Sequence, residues 1–440
     1  MQVLTPLFQR VCILAALVAF AATAQARGVR HRPTFDGVKS ALDAAGPRSP
    51  EAGGLPIGAD TRLYTGVAVG GGHEDNIDQR FVNQSDGAYG FVDAGGAIIS
   101  GPASSQTTAI VRGSLQYHDI DFRPERWDAG ILIDHLETLA PGLVLNTGGF
   151  FLHDDIDISK ADTSSGYYEL KGTQADYEAF LRGRALRVHY LTAIGAVDTG
   201  AIFAADESES YNRFEQSAGI LLMPQSRIAP FVEGGFAYND YFHTLQQAAQ
   251  APPFPDPDDP TVLLFPDPPD AVINRQSSDG WVVAGVRIQL TNTLRLDLGG
   301  RINQRWLETS ARDDHTSGFV DAKLVWHPSE QLFVEFNIDR TLIEPYSADA
   351  YVTDLTSYTV YVSAQIDPRT RLTFDGGVLD ADQIGSLDRF KEYYAGGKLA
   401  YALDQRTELF TEVYATHIVN TATDEDGDRL RVAAGMKLGF

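Results

Sequence analysis

Arg429-Leu430-Arg431-Val432-Ala433-Ala434-Gly435-Met436-Lys437-Leu438-Gly439-Phe440, the last twelve residues of the chain, alternate with period two. Leu430, Val432, Ala434, Met436, Leu438 and Phe440 fall on one face, and Arg429, Arg431, Gly435, Lys437 and Gly439 on the other. A strand with one apolar and one charged face needs lipid or a core against the first and water against the second. An aromatic last residue on such a strand resembles the signal by which bacterial outer-membrane barrels are recognised for assembly. A soluble sandwich could use one strand of this kind as well. Repetition of the pattern and the destination of the chain separate the two.

The destination is written at the other end. Residues 1–26 carry one charge, Arg10, then an apolar run from Val11 to Phe20, then Ala24-Gln25-Ala26 as a small-x-small cleavage site. This is the pattern of a secretory signal peptide. The single cysteine, Cys12, lies within it, so the mature chain is expected to hold no disulfide and no lipid anchor.

After Ala26 no apolar run approaches the roughly 18 to 20 residues that a helix needs to cross a bilayer. A membrane crossing would therefore be made with strands. The composition agrees, with 41 Gly, 18 Tyr and 23 Phe against 3 Met. Loss of Arg10 with the signal takes the formal charge from −24 to −25. So acidic a chain is a poor ligand for nucleic acid.

Residues 27–58 are rich in Gly, Pro, Ala and charge and are read as a flexible periplasmic N-terminal segment. Residues 59–440 are read as one barrel domain. Leu294, Leu296, Leu298, Gly300 and Ile302 alternate with Arg295, Asp297, Gly299 and Arg301; Leu332, Val334, Phe336 and Ile338 alternate with Phe333, Glu335, Asn337 and Asp339. Val320, Ala322, Leu324 and Trp326 stand against Asp321 and Lys323, and Leu409, Thr411, Val413 and Ala415 against Glu408, Glu412 and Tyr414. Charge on one face of strand after strand marks the lumen of a membrane barrel or the outside of a sandwich.

The connections favour the barrel. Short turns are expected at Gly101–Ser104, Ala140–Gly142, Pro224–Ser226, Asn292–Thr293, His327–Glu330, Asp367–Arg369 and Asp404–Gln405, with a weakly marked one at Ala185–Val188. Long acidic loops alternate with them, at His73–Asp86, Asp119–Arg126, His153–Gly166, Asp206–Ser210, residues 242–278, Glu308–Asp314, Glu344–Asp354, Asp380–Arg389 and Asn420–Asp428. Short periplasmic turns and longer extracellular loops are the sidedness of an outer-membrane barrel. The fold class is therefore all-β, an antiparallel transmembrane β-barrel of 18 strands, with 16 the alternative. Tyr64, Tyr117, Trp127, Tyr238, Tyr241, Trp306, Trp326 and Phe440 fall near predicted strand ends and suit the interfacial girdles. In the loop at 242–278, Pro252, Pro253, Pro255, Pro257, Pro260, Pro266, Pro268 and Pro269 predict an irregular segment that projects outward, with folding into the lumen as a constriction the alternative.

The run Arg227-Ile228-Ala229-Pro230-Phe231-Val232-Glu233-Gly234-Gly235-Phe236-Ala237-Tyr238, and after a loop Asp279-Gly280-Trp281-Val282-Val283-Ala284-Gly285-Val286-Arg287, resembles the middle of putative beta-barrel porin family 2. Gly71-Gly72-His73-Glu74-Asp75-Asn76-Ile77 resembles that family's first strand running into its outer loop. The resemblance implies an outer-membrane barrel of alphaproteobacterial type serving polysaccharide export. It brings no catalytic residues with it.

Alternation assigns Arg287, Arg295, Asp297, Arg301, Asp321, Lys323, Glu335, Asp339, Arg371, Asp375, Lys398, Glu408, Glu412 and Arg431 to the lumen, with Arg429 and Lys437 beside them. That wall is mixed and close to neutral, so the net charge must sit mainly in the loops. Cross-strand Arg–carboxylate pairs are expected to buttress it. His73-Glu74-Asp75 and His153-Asp154-Asp155 set imidazoles beside carboxylates at predicted outer strand ends, as an acid–base hydrolase would. His and Asp are equally common at loop entrances. Asp424-Glu425-Asp426-Gly427-Asp428 lacks the remaining ligand pattern of a calcium hand. No phosphate loop, cysteine metal site or serine elbow occurs, so the reading is of a non-enzyme with no catalytic residue, no cofactor and no metal.

The expected function is an outer-membrane conduit associated with exopolysaccharide or capsule export. A general diffusion porin and a structural or adhesive barrel are the alternatives. Expected partners are outer-membrane lipid and lipopolysaccharide, the barrel assembly machinery, and periplasmic polysaccharide-export components; the oligomeric state is left open. The export and assembly signals act at different membranes. Deleting Phe440 should therefore impair insertion, scored by heat-modifiable migration of the folded barrel, while leaving periplasmic export intact; normal insertion of the truncated chain would refute the assembly-signal reading.

Overall fold

The computed structural model describes residues 54–75, 86–119, 125–154, 162–189, 211–241, 254–255, 263–264, 276–308, 313–343, 352–385, 389–422 and 425–439. Residues 1–53, with the expected signal peptide and most of the expected N-terminal segment, and Phe440 lie outside them.

Among the described residues the fold is a closed antiparallel barrel of 18 long strands. They are β1 (Thr61–Glu74), β2 (Gly87–Ser100), β3 (Ser105–His118), β4 (Glu125–Ala140), β5 (Leu143–Asp154), β6 (Asp162–Thr173), β7 (Tyr177–His189), β8 (Tyr211–Leu222) and β9 (Ile228–Tyr241). The second half is β10 (Ser277–Thr291), β11 (Leu294–Leu307), β12 (His315–Ser329), β13 (Leu332–Ile343), β14 (Val352–Asp367), β15 (Thr370–Ile384), β16 (Arg389–Ala402), β17 (Thr407–Asn420) and β18 (Glu425–Gly439). Each strand pairs with the next in the chain, and β1 closes on β18 from Gly66 opposite Gly439 to Glu74 opposite Arg431. The two-residue stretch Leu55–Pro56 pairs with Leu63 and Arg62 on the part of β1 that runs past the end of β18. Pairing with the barrel thus already includes Leu55 and Pro56, ahead of the expected boundary at 59.

The short turns gather at one end, at residues 101–104, 141–142, 174–176, 223–227, 292–293, 330–331, 368–369 and 403–406. Two of them share the sequence Asp-x-Arg-Thr. Asp367 accepts from the Thr370 hydroxyl at 2.7 Å and from the amides of Arg369 and Thr370 at 2.8 and 3.0 Å. Asp404 accepts from the amides of Arg406 and Thr407 at 2.7 and 2.8 Å and from the Thr407 hydroxyl at 3.2 Å. These donors hold both carboxyls below their ordinary range, Thr370 leading at Asp367 and the Arg406 amide at Asp404.

One expected turn is misplaced. Ala185–Val188 lies inside β7, and the turn falls at residues 174–176, where the Gln174 amide donates to the Tyr177 carbonyl. Leu186 and Val188 are buried, and Glu169 meets Arg182 across the β6–β7 ladder, which fixes the earlier turn. Consequently β6 begins at Asp162, inside the loop expected at His153–Gly166. In the Pro-rich insert, Phe254 and Pro255 pair with Leu264 and Leu263 as a two-residue ladder. A proline can stand at a ladder position whose N–H is not needed. The rest of that insert lies outside the described residues.

Strand parity sorts the wall. Val67, Val92, Val111, Ile131, Phe151, Val232, Val282, Leu298, Val320 and Phe336 are exposed and all lie on the outward face. Tyr117, Trp127, Trp306 and Trp326 are exposed on that face near strand ends. Tyr64 and Tyr241, expected in the girdles, are instead buried on the inward face: Tyr64 is paired with Ala97, and the Tyr241 ring lies 5.3 Å from that of Tyr211. Both sit one position out of phase with the outward set, which hydrophobicity alone does not register. Leu298 is 42% exposed and stands between inward-facing Asp297 and Gly299. Leu298→Arg should cost about 2 to 4 kcal/mol in urea unfolding in lipid, because an outward charge near midplane loses its hydration; Arg301→Glu, on the opposite face, should cost far less. Equal losses would mean that the faces are misassigned.

Candidate functional site: the inward wall

Register brings the predicted lumen set onto the face opposite the exposed apolar side chains. Arg287 donates from Nε and Nη2 to the two carboxylate oxygens of Asp297 at 3.0 and 3.2 Å, and Arg295 Nε stands 3.5 Å from the same carboxylate. Arg301 Nε lies 3.2 Å from Asp321, Lys323 Nζ 2.8 Å from Glu335, Arg371 3.2 Å from Glu408, and Lys398 3.6 Å from Glu412. Asp339 accepts from the Ser357 hydroxyl, and Arg431 Nε donates to the Tyr89 hydroxyl at 2.8 Å. Asp375 is the exception: it is exposed and has no side-chain partner among the described residues. The partners of these pairs come from adjacent strands, except that Arg295 and Asp297 are both on β11, Arg371 reaches across β16 to Glu408 on β17, and Arg431 on β18 reaches across β1 to Tyr89 on β2. Cation and anion thus neutralise each other along the wall without leaving it.

A denser polar knot was not foreseen. Arg305, fully buried, donates to both oxygens of Asp279 at 2.6 and 2.8 Å. Arg213 donates to the same carboxylate at 2.7 Å and to the Asn239 carbonyl oxygen at 2.9 Å, and Asn239 donates to the Ser277 hydroxyl at 3.0 Å. These residues come from β8, β9, β10 and β11, four successive strands. A buried guanidinium survives only when its donors are met, and here one carboxylate meets two cations. Alternation assigns each of these residues to the inward face, but it cannot supply the register that joins them.

The inward face is also less polar than the charge alternation implies. Leu132, Phe150, Leu152, Leu186 and Val188 form a buried apolar cluster across β4, β5 and β7, and Leu355, Leu379, Ala381, Phe390 and Ile418 form another across β14 to β17. Several inward aromatic rings lie flat against the wall over glycines. A Cβ at Gly396 would stand 2.8 Å from the Tyr414 ring, and one at Gly219 would stand 2.5 Å from Phe180. Only glycine leaves room for a ring pressed so closely to a neighbouring strand. Rings packed this way line the interior without reaching across it.

Of the two imidazole–carboxylate candidates, His73-Glu74-Asp75 lies among the described residues, whereas in His153-Asp154-Asp155 the Asp154 side chain and Asp155 lie outside them. His73 and Glu74 are consecutive in β1 and point to opposite faces; Glu74 is buried against Arg429 on β18. The His153 ring lies tilted against that of Trp127, with centroids 3.9 Å apart, on the outward face. Asp424 of the acidic run lies outside the described residues, and among the described residues no group of three or more His, Cys, Asp or Glu converges on a metal-sized site.

Among solved structures, the chain is similar to the outer membrane protein opdK from Pseudomonas aeruginosa, with 11% identity, 87% of this chain and 99% of that chain covered, and a TM-score of 0.44. It is similar to the copper transporter OprC, at 8% identity with 86% and 81% covered and a TM-score of 0.45. It is similar also to a bacterial polysaccharide outer membrane secretin, at 10% identity with 86% and 98% covered and a TM-score of 0.35. No curated protein matches the chain. Of the runs that carried the sequence resemblance, Asp279–Arg287 lies within the family match and the runs beginning at Arg227 and Gly71 lie before it. The wall from β10 through β18, within residues 265–440, matches the family Putative beta-barrel porin 2, and the described residues as a whole form one closed antiparallel β-barrel.

Proposed function

We propose that the barrel is a conduit through the outer membrane and that its cargo is a polysaccharide chain moving outward from the periplasm. The observation that carries this reading is the inward wall itself. Its charges are matched in place by neighbouring strands, and its aromatic rings lie against the wall, so that a long, hydroxyl-rich, weakly charged polymer meets a surface with little net field and many hydrogen-bonding groups. The short-turn end is the periplasmic one by the rule of this architecture. There Leu55–Pro56 is stitched beside the β1–β18 seam, with Leu55 and Ile57 exposed. Periplasmic export components would engage the barrel at this end and pass it the growing chain.

Deleting the chain in its host should abolish surface polysaccharide while leaving its periplasmic synthesis products detectable. Unchanged surface polysaccharide, together with leakage of small solutes that depends on the barrel, would favour a general diffusion porin. In planar bilayers the purified barrel should conduct, and Arg301→Glu, which leaves Asp321 facing a second carboxylate, should shift the reversal potential toward cation selectivity. A barrel that inserts but carries no current would overturn the conduit and favour a structural role.

A further inference from the structure

Among the described residues the inward-facing aromatics are buried or half-buried, with one departure. Tyr64, Tyr89, Phe91, Phe150, Tyr211, Phe390 and Phe410 are buried, whereas Tyr361 on β14 is 41% exposed, the one inward-facing aromatic among the described residues so open to the lumen. Its ring lies 5.9 Å from that of Phe333 on β13, and Phe333 lies 4.6 Å from the His327 ring near the end of β12. Three rings thus step inward from the short-turn end. Tyr361 is directly opposite Glu335 on one neighbouring strand and Asp375 on the other. Glu335 is anchored by Lys323 at 2.8 Å and by the Asn337 amide at 2.9 Å; Asp375 has no such anchor.

We propose, on the conduit reading, that Tyr361 with Asp375 and Glu335 forms a saccharide subsite inside the periplasmic half of the lumen, with Phe333 and His327 as its lead-in. An exposed ring flanked by acceptors suits a neutral pyranose: the apolar C–H face of the sugar covers the phenol ring, and its hydroxyls donate to carboxylates on either side. The Tyr361 hydroxyl has no hydrogen-bond partner among the described residues, so it is available to a third sugar oxygen. Lys323 offsets Glu335, and Arg371 is taken up by Glu408, so Asp375 is the single acid of the subsite without a paired cation. That balance favours a neutral sugar over a polycation.

The test uses the mature barrel in detergent, with maltohexaose, cellohexaose and spermine as probes and calorimetric titration as the readout. At least one hexasaccharide should bind, and Tyr361→Ala should weaken it about tenfold, roughly one stacking contact. Tyr361→Phe should stay within about twofold of wild type, and Asp375→Asn should weaken binding by several-fold. Heat-modifiable migration of each variant certifies the fold. In planar bilayers the same sugar should interrupt the current when added on the short-turn side. Failure of both hexasaccharides to bind, wild-type affinity in Tyr361→Ala, or spermine binding that depends on Tyr361 in place of sugar binding would each overturn the subsite. Conductance without sugar binding would sink the subsite and leave the conduit standing. Sugar binding without conductance would do the reverse.

Discussion

Everything in this molecule depends on closing the sheet. In hydrocarbon an unpaired strand edge exposes a row of amides and carbonyls with no water to satisfy them, so the two terminal strands must find each other. β1 and β18 do so along nine residue pairs, from Gly66–Gly439 to Glu74–Arg431. The partners are as far apart in sequence as the described barrel allows, and a polar lock seals the long-loop end. Glu74, almost wholly buried, holds Arg429, and the Asp75 amide donates to the Leu430 carbonyl at 3.0 Å. The alternation of β18 lets the seam face lipid on one side and water on the other at every step.

Closure then sets the chemistry of the interior. Inward positions on adjacent strands stand opposite one another in fixed register, so each charged residue meets whatever its neighbours carry. Most meet an opposite charge, and Asp339 meets a hydroxyl. The wall absorbs its own field, and a chain of this acidity can still enclose a passage that is close to neutral. Buried apolar stretches between the ion pairs, such as Leu355 with Leu379, show that the inward face is packed as well as wetted.

Most of the architecture was legible because period-two alternation and turn residues are local signals. Leu294 to Ile302 display their two faces in nine residues, and the Asp-x-Arg-Thr turns announce themselves. The turn at 174–176 was missed because Gln174 and Ala175 are weak turn formers, and the strands flanking it are set by Glu169 meeting Arg182, a relation across the ladder. Tyr64 and Tyr241 were placed in the girdles because an aromatic near a strand end carries no mark of which face it takes. Of the wall, the identity of inward charges could be read, whereas their partners could not. Alternation gives parity, and pairing needs register. The solitary exposure of Tyr361 belongs to the same class, since it follows from what the neighbouring strands leave uncovered.

The knot of Arg213, Asn239, Ser277, Asp279 and Arg305 straddles the long insertion that joins β9 to β10. Asn239 stands just before that insertion and Ser277 just after it, and the hydrogen bond between them cinches the two strands at their base. The entropy of a loop rises only with the logarithm of its length, so a doubling costs about 0.6 kcal/mol once the ends are held. With Asn239 and Ser277 tied in this way, the register of β9 against β10 is fixed on the strands themselves. Changes in the length of that insertion therefore cost the pairing of β9 with β10 little.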